Sequence, residues 1–458
     1  MQYFKPEGAR FVGDCMPFFH DGVFHLFYLL DEGHHQGRGG LGGHQWAHAS
    51  TTDLIHWTHH PLALPASEEW EASICTGSVF HHVGAFHAFY ATRMPDWTQH
   101  LSHAVSSDGI AFEKTLPNPF ASPPPGYSAF DYRDPFVYAD DMGRFQMLVT
   151  SKIENFPLQG RGGCLLRLSS DDLQTWQVED PALIPSGDSG YACVPECPDR
   201  FVWNGWRYLL FGLGLKSCYR MSAPGDERWH RPAVDALGNG MLAVMKTAPF
   251  GENRRIGAAW IGSRKDDRDD GAMLWGGNLV LRELIQLPDG SLGTRFLPEV
   301  LPAIGAALSP ELDFLTNGAS GSPTRIQLDG PETLTVAALC GLPRSFRLRC
   351  RVEAGPGTPR FGLGLRGAGA YETFYPLAFS PHRRTVSLAR ESIECLDELD
   401  GPFELDLVLM DDIIDVCVGQ RHCLINRLTE LNGDRLFFFC EDGSAIFSEI
   451  EVTAWQTQ

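Results

Sequence analysis

Apolar and polar residues along this chain alternate in short runs, and almost no stretch follows the 3.6-residue period of an amphipathic helix. What recurs is an aromatic and β-branched run, a Gly or Asp-Gly turn and a second such run, the signature of a β-hairpin. Phe18 to Tyr28 (Phe-Phe-His-Asp-Gly-Val-Phe-His-Leu-Phe-Tyr) is the first copy, and it returns at Val79 to Tyr90, Phe136 to Val149 and Phe201 to Leu210. The spacing of about 60 residues is that of one four-stranded propeller blade with generous loops. A Ser-Asp turn leading to an aromatic follows at matching offsets, at Ser50 to Trp57, Ser106 to Phe112 and Ser169 to Trp176. Such a turn sets a ring between blades and is read as structural. A weaker copy, Arg255 to Ile261, supplies a fifth blade, without which residues near 240 to 290 have no home.

After Phe296 to Pro302 the texture changes to a Gly-, Pro- and Ser-containing stretch and then to period-two runs such as Ser345 to Val352, Glu404 to Met410, Ile413 to Val418 and Arg435 to Cys440. That pattern predicts a β-sandwich. The expected protein is therefore all-β, with a five-bladed β-propeller over residues 1–300 and a supporting C-terminal β-sandwich over 301–458.

A length of 458 residues with 43% hydrophobic content is ample for two cores. The net charge of −20 argues against a nucleic-acid partner or an anionic membrane surface, because phosphate must be met by clustered Lys and Arg. A neutral small-molecule substrate fits better. The first residues lack a basic, apolar and small-residue secretory pattern and no stretch reaches a membrane-spanning length, so the expected location is cytoplasmic. The 12 cysteines show no framework, and several lie inside apolar runs, which reads as reduced core thiols. Cys193 and Cys197 have no second pair downstream, so no zinc site is expected there.

Three acids stand just upstream of the repeated hairpin: Asp14, Asp134 and Glu196. If the run after each is an inner strand, all three converge at the mouth of the central channel. Alone, an Asp before a strand is an ordinary turn or cap residue, and Asp21, Asp141 and Asp199 sit near the same turns. Gathered carboxylates repel one another and lose hydration, a cost that a structural protein has little reason to bear. Glycoside hydrolysis has one: a retaining enzyme needs an ionised carboxylate as nucleophile and a protonated carboxyl to donate to the leaving oxygen.

Tyr132-Arg-Asp-Pro-Phe136 and Val194-Pro-Glu-Cys-Pro-Asp199 resemble the Arg-Asp-Pro and Glu-Cys-Pro motifs of glycoside hydrolase family 32, the β-fructofuranosidases, in the right order. Gln45-Trp-Ala-His48 with Asp53 to Trp57, Cys75-Thr-Gly-Ser78 and Leu281-Arg-Glu-Leu284 are similar to further segments of that family. The resemblance spans the propeller and implies Asp14 as nucleophile, Glu196 as acid/base, and Asp134 as the group that holds sugar hydroxyls and stabilises the transition state. Arg133 is then the counter-charge of Asp134, with Gln45, Trp46, Thr76 and Ser78 as further substrate-binding candidates and Trp46 either a stacking surface or a core residue. No cofactor and no metal are implied. The histidine-rich first quarter (His34, His35, His44, His48, His56, His59, His60) shows no metalloprotease-like spacing and reads as hydrogen-bonded or surface histidine. Gly37 to Gly43 lacks the Lys-Ser/Thr of a phosphate loop and reads as a mobile rim loop.

The chain departs from the family where Phe11-Val-Gly-Asp-Cys-Met-Pro17 replaces its usual first motif: Gly13 stands for an Asn that touches the sugar, and Leu29 for a Gln. Sites lacking such polar partners discriminate sugars differently. The expected activity is retaining, exo-acting release of fructose from sucrose or short fructosides, and transfer to an acceptor sugar shares its intermediate. Another furanosidase activity such as arabinofuranosidase, an inverting enzyme on a similar propeller, and a non-catalytic carbohydrate-binding propeller are the alternatives.

Overall fold

The computed structural model describes residues 1–158, 161–183, 194–214, 216–226, 228–299 and 304–455. It divides into two compact units, one of Met1–Ala236, Leu242–Ser263 and Leu274–Ser291, the other of Leu237–Met241, Arg264–Met273 and Leu292–Gln458.

The first unit is a five-bladed β-propeller. Its blades are β1 (Arg10–His20), β2 (Val23–Glu32), β3 (Gln45–Thr51) and β4 (Thr58–His59); β5 (Ser73–His82), β6 (Ala85–Arg93), β7 (Gln99–Ser106) and β8 (Glu113–Lys114); and β9 (Tyr127–Ala139), β10 (Phe145–Ile153), β11 (Gly163–Ser170) and β12 (Gln177–Leu183). The fourth is β13 (Pro195–Trp203), β14 (Trp206–Leu213) and β15 (Lys216–Ser222), and the fifth β16 (Leu242–Phe250), β17 (Arg254–Arg264) and β18 (Met273–Gln286). The first strands of the blades, β1, β5, β9, β13 and β16, touch one another in cyclic order. β18 pairs with β1 through Gly277 and Val12, joining the fifth blade to the first.

Each inner strand breaks register with its neighbour at the same place. The shift falls between Val12 and Cys15, Ile74 and Gly77, Arg133 and Phe136, Glu196 and Asp199, and Ala243 and Lys246. A β-bulge leaves a residue unpaired and re-aims its side chain. Five bulges at one level therefore turn five sets of side chains toward one spot, and Asp134, Cys197 and Val244 adopt the positive φ values (55°, 52° and 52°) that such a bulge demands. Packing between blades supplies the rest. Trp46, Ile74 and Tyr90 share one cluster, Phe89, Tyr132 and Met147 the next, and Leu148, Leu209 and Phe211 a third. The Ser-Asp turns do what their sequence implied. Asp53, Asp108 and Asp172 accept backbone N–H groups of their own turns, and Phe112 and Trp176 meet Phe27 and Phe89 edge-on across blades.

Blades one and two also repeat a histidine pair. His25 Nδ1 lies 3.0 Å from His48 Nε2, with His48 stacked on Phe27; His87 Nδ1 lies 3.1 Å from His103 Nε2, with His103 stacked on Phe89. Burial, then neighbouring imidazoles, pulls His25 and His48 down to about 4 and about 2; burial and His87 pull His103 to about 4. Unfolded histidine titrates near 6.5, so between there and about pH 4 the unfolded chain binds more protons than the folded one. The stability held above pH 6.5 is expected to be lost as the pH falls through that window. Melting temperature against pH measures it, and His25→Gln should flatten the acid slope, since Gln146 already occupies the equivalent place in blade three; an unaltered slope would show that this pair does not set it.

The second unit is a β-sandwich. The strand Arg435–Trp455 pairs along its first half with Arg360–Ala368 and along its last half with Phe346–Ala354, so it belongs to both layers. Its side chains alternate: Phe438 and Cys440 enter the main core with Leu348, Leu363 and Leu407, while Phe437 and Phe439 pack on Val336 and Ala338. Most of the described cysteines are buried in the two cores; Cys340 is half-buried and Cys395 exposed. Cys193 and the stretch from Val300 to Ala303 lie outside the described residues. Among the described residues no helix is long and apolar enough to cross a membrane.

Candidate active site

The bulges bring Asp14, Asp134 and Glu196 together from β1, β9 and β13. Asp14 is 8% exposed; Trp260 Nε1 donates to its Oδ1 at 3.0 Å and Thr76 Oγ1 to its Oδ2 at 2.6 Å. Asp134 is 2% exposed and its Oδ2 accepts Thr150 Oγ1 at 3.0 Å and the backbone N–H of Cys197 at 3.1 Å. The Cys197 thiol also lies 3.6 Å from Asp14 Oδ2, so one residue touches both carboxylates. Glu196, beside it in the chain, keeps about a third of its side chain in solvent (34%).

Burial raises the Asp14 pKa, the hydrogen bond from Thr76 opposes it, and the Asp134 charge adds to the rise. Glu196 is raised as well, by burial first; Arg133 pulls the other way, and Asp134 and Asp14 push it further. Two carboxyls sharing a site but differing in partners is the arrangement that separates a nucleophile from a proton donor.

Arg133 departs from expectation. Its Nη2 donates to Glu196 Oε1 at 2.6 Å and its Nη1 to Asp131 Oδ1 at 2.9 Å, whereas Asp134 Oδ2 stands 3.7 Å from its Nε. It serves Glu196 first and Asp134 second. Other candidates take different roles too. Trp46 is fully buried between blades and its indole N–H donates to the Cys75 carbonyl, so it stacks on nothing outside the core. Ser78 Oγ accepts the backbone N–H of Val137, pinning blade two to blade three. Gln45 Oε1 accepts the backbone N–H of Ala66, and Thr76 acts on Asp14. Gly37 to Gly43 forms a compact turn in which Gly37 and Gly42 bridge.

Residues of the fifth blade, the weakest of the sequence repeats, close in on the carboxylates. Lys246 is buried, donates from Nζ to the Gly77 carbonyl at 2.8 Å, and stands over Phe136. Burial lowers its pKa, against the pull of Cys197, Asp199, Asp134 and Asp14. Trp260 is the second contributor, and Trp275 the third. A Cβ on residue 13 would lie 2.1 Å from Trp275 Cη2, so the indole fills the space that a side chain at position 13 would claim. Trp275 is half-buried, tilts against Trp260 with centroids 5.2 Å apart, and stacks on His44 at 4.6 Å. An aromatic wall thus occupies the place that the family resemblance assigns to an Asn side chain. Gly13→Asn is accordingly expected to overpack the site and cost about 1–3 kcal/mol, and Trp275→Ala in the same chain to recover most of it; thermal melting of the two variants decides, and a Gly13→Asn chain as stable as the parent would refute the steric account.

Behind that wall, Asp31, His35 and His44 hold ligand-type atoms within 4.8 Å of one another. His44 spends Nε2 on Asp31 and Nδ1 on Ser73, and the Arg93 guanidinium donates to His35 Nε2 at 2.8 Å. Arg93 thus holds one nitrogen of His35, while His35 Nδ1 and Asp31 Oδ2 are buried without a hydrogen-bond partner, and the rest of the group works as a hydrogen-bonded brace. His34 Nδ1 ties to the Trp275 carbonyl at 3.0 Å.

A five-bladed propeller whose bulges aim three acids into its central channel is a glycosidase architecture. The chain belongs to glycosyl hydrolases family 32, whose N-terminal domain model matches residues 14–291. It is 29% identical over 199 residues to sucrose-6-phosphate hydrolase of Escherichia coli, covering 41% of this chain and 38% of that protein. It is 24% identical over 316 residues to raffinose invertase of Escherichia coli, covering 61% and 60%. The match thus spans less than two thirds of these relatives' length. In fold it is similar to fructan 1-exohydrolase IIa from Cichorium intybus (TM-score 0.75, 16% identity, 99% of this chain and 97% of that one) and to sucrose-6-phosphate hydrolase from Lactobacillus gasseri (0.68, 16%, 97% and 91%).

Proposed function

We propose that this chain is a retaining, exo-acting β-fructofuranosidase that releases fructose from sucrose or a short fructo-oligosaccharide by double displacement, without a cofactor. The observation that carries the reading is the grip on Asp14. Trp260 and Thr76 fix one carboxylate in the channel, while Glu196, raised by burial and by its acidic neighbours, is suited to carry a proton.

In the first step Asp14 attacks the anomeric carbon as Glu196 gives its proton to the departing oxygen, leaving a glycosyl ester on Asp14. Arg133, held to Glu196, orients that carboxyl. Asp134, with two donors on its Oδ2, keeps its other oxygen for sugar hydroxyls and for the positive charge that grows at the ring. In the second step Glu196 takes a proton from water as the water attacks the same carbon, and Asp14 is released. An acceptor sugar in place of water gives transfer by the same route. The catalytic unit is the propeller, proposed as residues 1–300, with the sandwich of 301–458 in support.

Gly13 and the Trp275 wall favour one second reading, a different furanosidase such as an arabinofuranosidase, because a polar contact to the sugar is exchanged for an aromatic face. The test is a panel: sucrose, sucrose 6-phosphate, inulin-type and levan-type oligosaccharides and an arabinofuranoside. Fructose release that falls with Asp134→Asn is the expected result, by about two orders of magnitude or more if charge stabilisation is lost at the transition state. Arabinose release would transfer the mechanism to the second reading, and no sugar from any substrate would overturn both.

A further inference from the structure

In the sandwich, the strand Arg360–Ala368 shifts register between Leu365 and Ala368 against one neighbour and between Gly364 and Gly367 against the other. Arg366 sits in this double bulge with a φ of 52°, a conformation uncommon for a residue bearing a Cβ. Its side chain turns inward and is 4% exposed. Nη1 donates to the Leu428 carbonyl at 2.8 Å, whereas Nε and Nη2 are buried and have no partner.

Those two donors are the side-on edge of the guanidinium, the fork that matches two oxygens of one anion. Elsewhere this chain uses that edge in just this way. Arg254 grips Glu283 through Nε and Nη2, Arg268 grips Asp270, and Arg347 grips Asp406. Arg366 presents the same edge with no carboxylate on it. Idle buried donors are costly, and native proteins give them a partner, whether protein, water or ligand.

Arg366 borders a cavity of about 70 Å³ that Arg344, Asn432, Asp434 and Arg435 also line. Arg344 is exposed at the surface and donates from Nη1 to Asn432 Oδ1; Arg435 is paired with Asp313 at 3.3 Å. Asp411 and Asp412 act on Arg366 from a distance, but Asp412 is bonded to Arg427, and Asp434 is the one carboxylate on the cavity wall. The cavity has room for a few waters or one small ion.

We propose that this cavity binds one small oxyanion, a phosphate, sulfate or carboxylate group, gripped side-on by Arg366 and met at the mouth by Arg344. The ion is either free or the end group of a larger molecule whose body stays outside, and the experiment separates the two.

Thermal shift and calorimetric titration of the full chain test the site with inorganic phosphate, sulfate, fructose 6-phosphate and, at matched ionic strength, chloride. Phosphate and sulfate should raise the melting temperature where chloride does not. Arg344→Gln should weaken binding about tenfold, and Arg366→Gln should abolish it. Tighter binding of fructose 6-phosphate than of phosphate would support the site and assign it to an end group; equal or weaker binding would support it for the free ion. No shift beyond that of chloride, or equal binding by the parent and Arg344→Gln, overturns the proposal. Because Arg344 lies at the surface, its variant decides the matter even should Arg366→Gln not fold.

Discussion

Asp14→Asn is expected to lower the rate of glycoside cleavage by about 10⁴- to 10⁶-fold, the range seen when a covalent nucleophile is removed, and to leave the fold as stable as before or more so. The two halves of the expectation have one cause. The folded-state pKa of Asp14 lies above its unfolded value, because burial opposes the charge. Any stability linked to its proton is therefore present at low pH and lost as the pH rises through the raised pKa, so at neutral pH the ionised carboxylate is a burden on the fold. Asn carries no charge. Its Oδ1 can still accept Trp260 Nε1–H, and its Nδ2 can donate to Thr76 once that hydroxyl rotates. Initial rates on the best substrate of the panel and a melting curve check both halves. A variant that retains its rate removes Asp14 from the chemistry, and one that melts well below the parent contradicts the electrostatic account.

The second large effect is at Glu196. Glu196→Gln should reduce turnover by about 10²- to 10⁴-fold for alkyl glycosides, whose leaving oxygen needs a proton, and much less for an activated aryl leaving group. Gln keeps an oxygen for Arg133 to bind, so the loss is one of proton transfer rather than of geometry. The pH profile separates the roles. In the proposed mechanism cleavage needs Glu196 protonated and falls as the pH rises through its raised pKa; it needs Asp14 ionised and falls as the pH drops through that of Asp14. Both limbs should therefore sit above the ordinary carboxylate range, and Glu196→Gln should erase the alkaline limb alone. An alkaline limb that survives the substitution would mean that another group supplies the proton.

Much of this was written in the chain at the level of repeats. The hairpin copies at Phe18, Val79, Phe136 and Phe201 named four blades, and an acid placed before three of them pointed to one convergence, because equivalent positions in a propeller face one axis. What the residues could not state was the direction each side chain takes. Trp46 and Ser78 lie in the right strands, but strand alternation sends one into the core and sets the other between blades. The fifth blade was the faintest copy, and its contributions to the site were hidden for that reason. Lys246, a lone charge in the apolar run Leu242 to Phe250, was the available signal. Trp275 was harder still: it replaces a missing side chain across 262 positions of sequence, and only proximity in space relates it to Gly13.

The seam between β18 and β1 also sets a clock on synthesis. The strand that bears Asp14 emerges early, yet the residue that pairs with Val12 is Gly277, made 265 residues later. At about 5–20 residues per second a ribosome needs roughly 13–50 s to cover that distance. Through most of that interval the nascent chain carries Asp14, the proposed nucleophile, without Trp260 to hold it, and so exists as a string of blades before its candidate site can close.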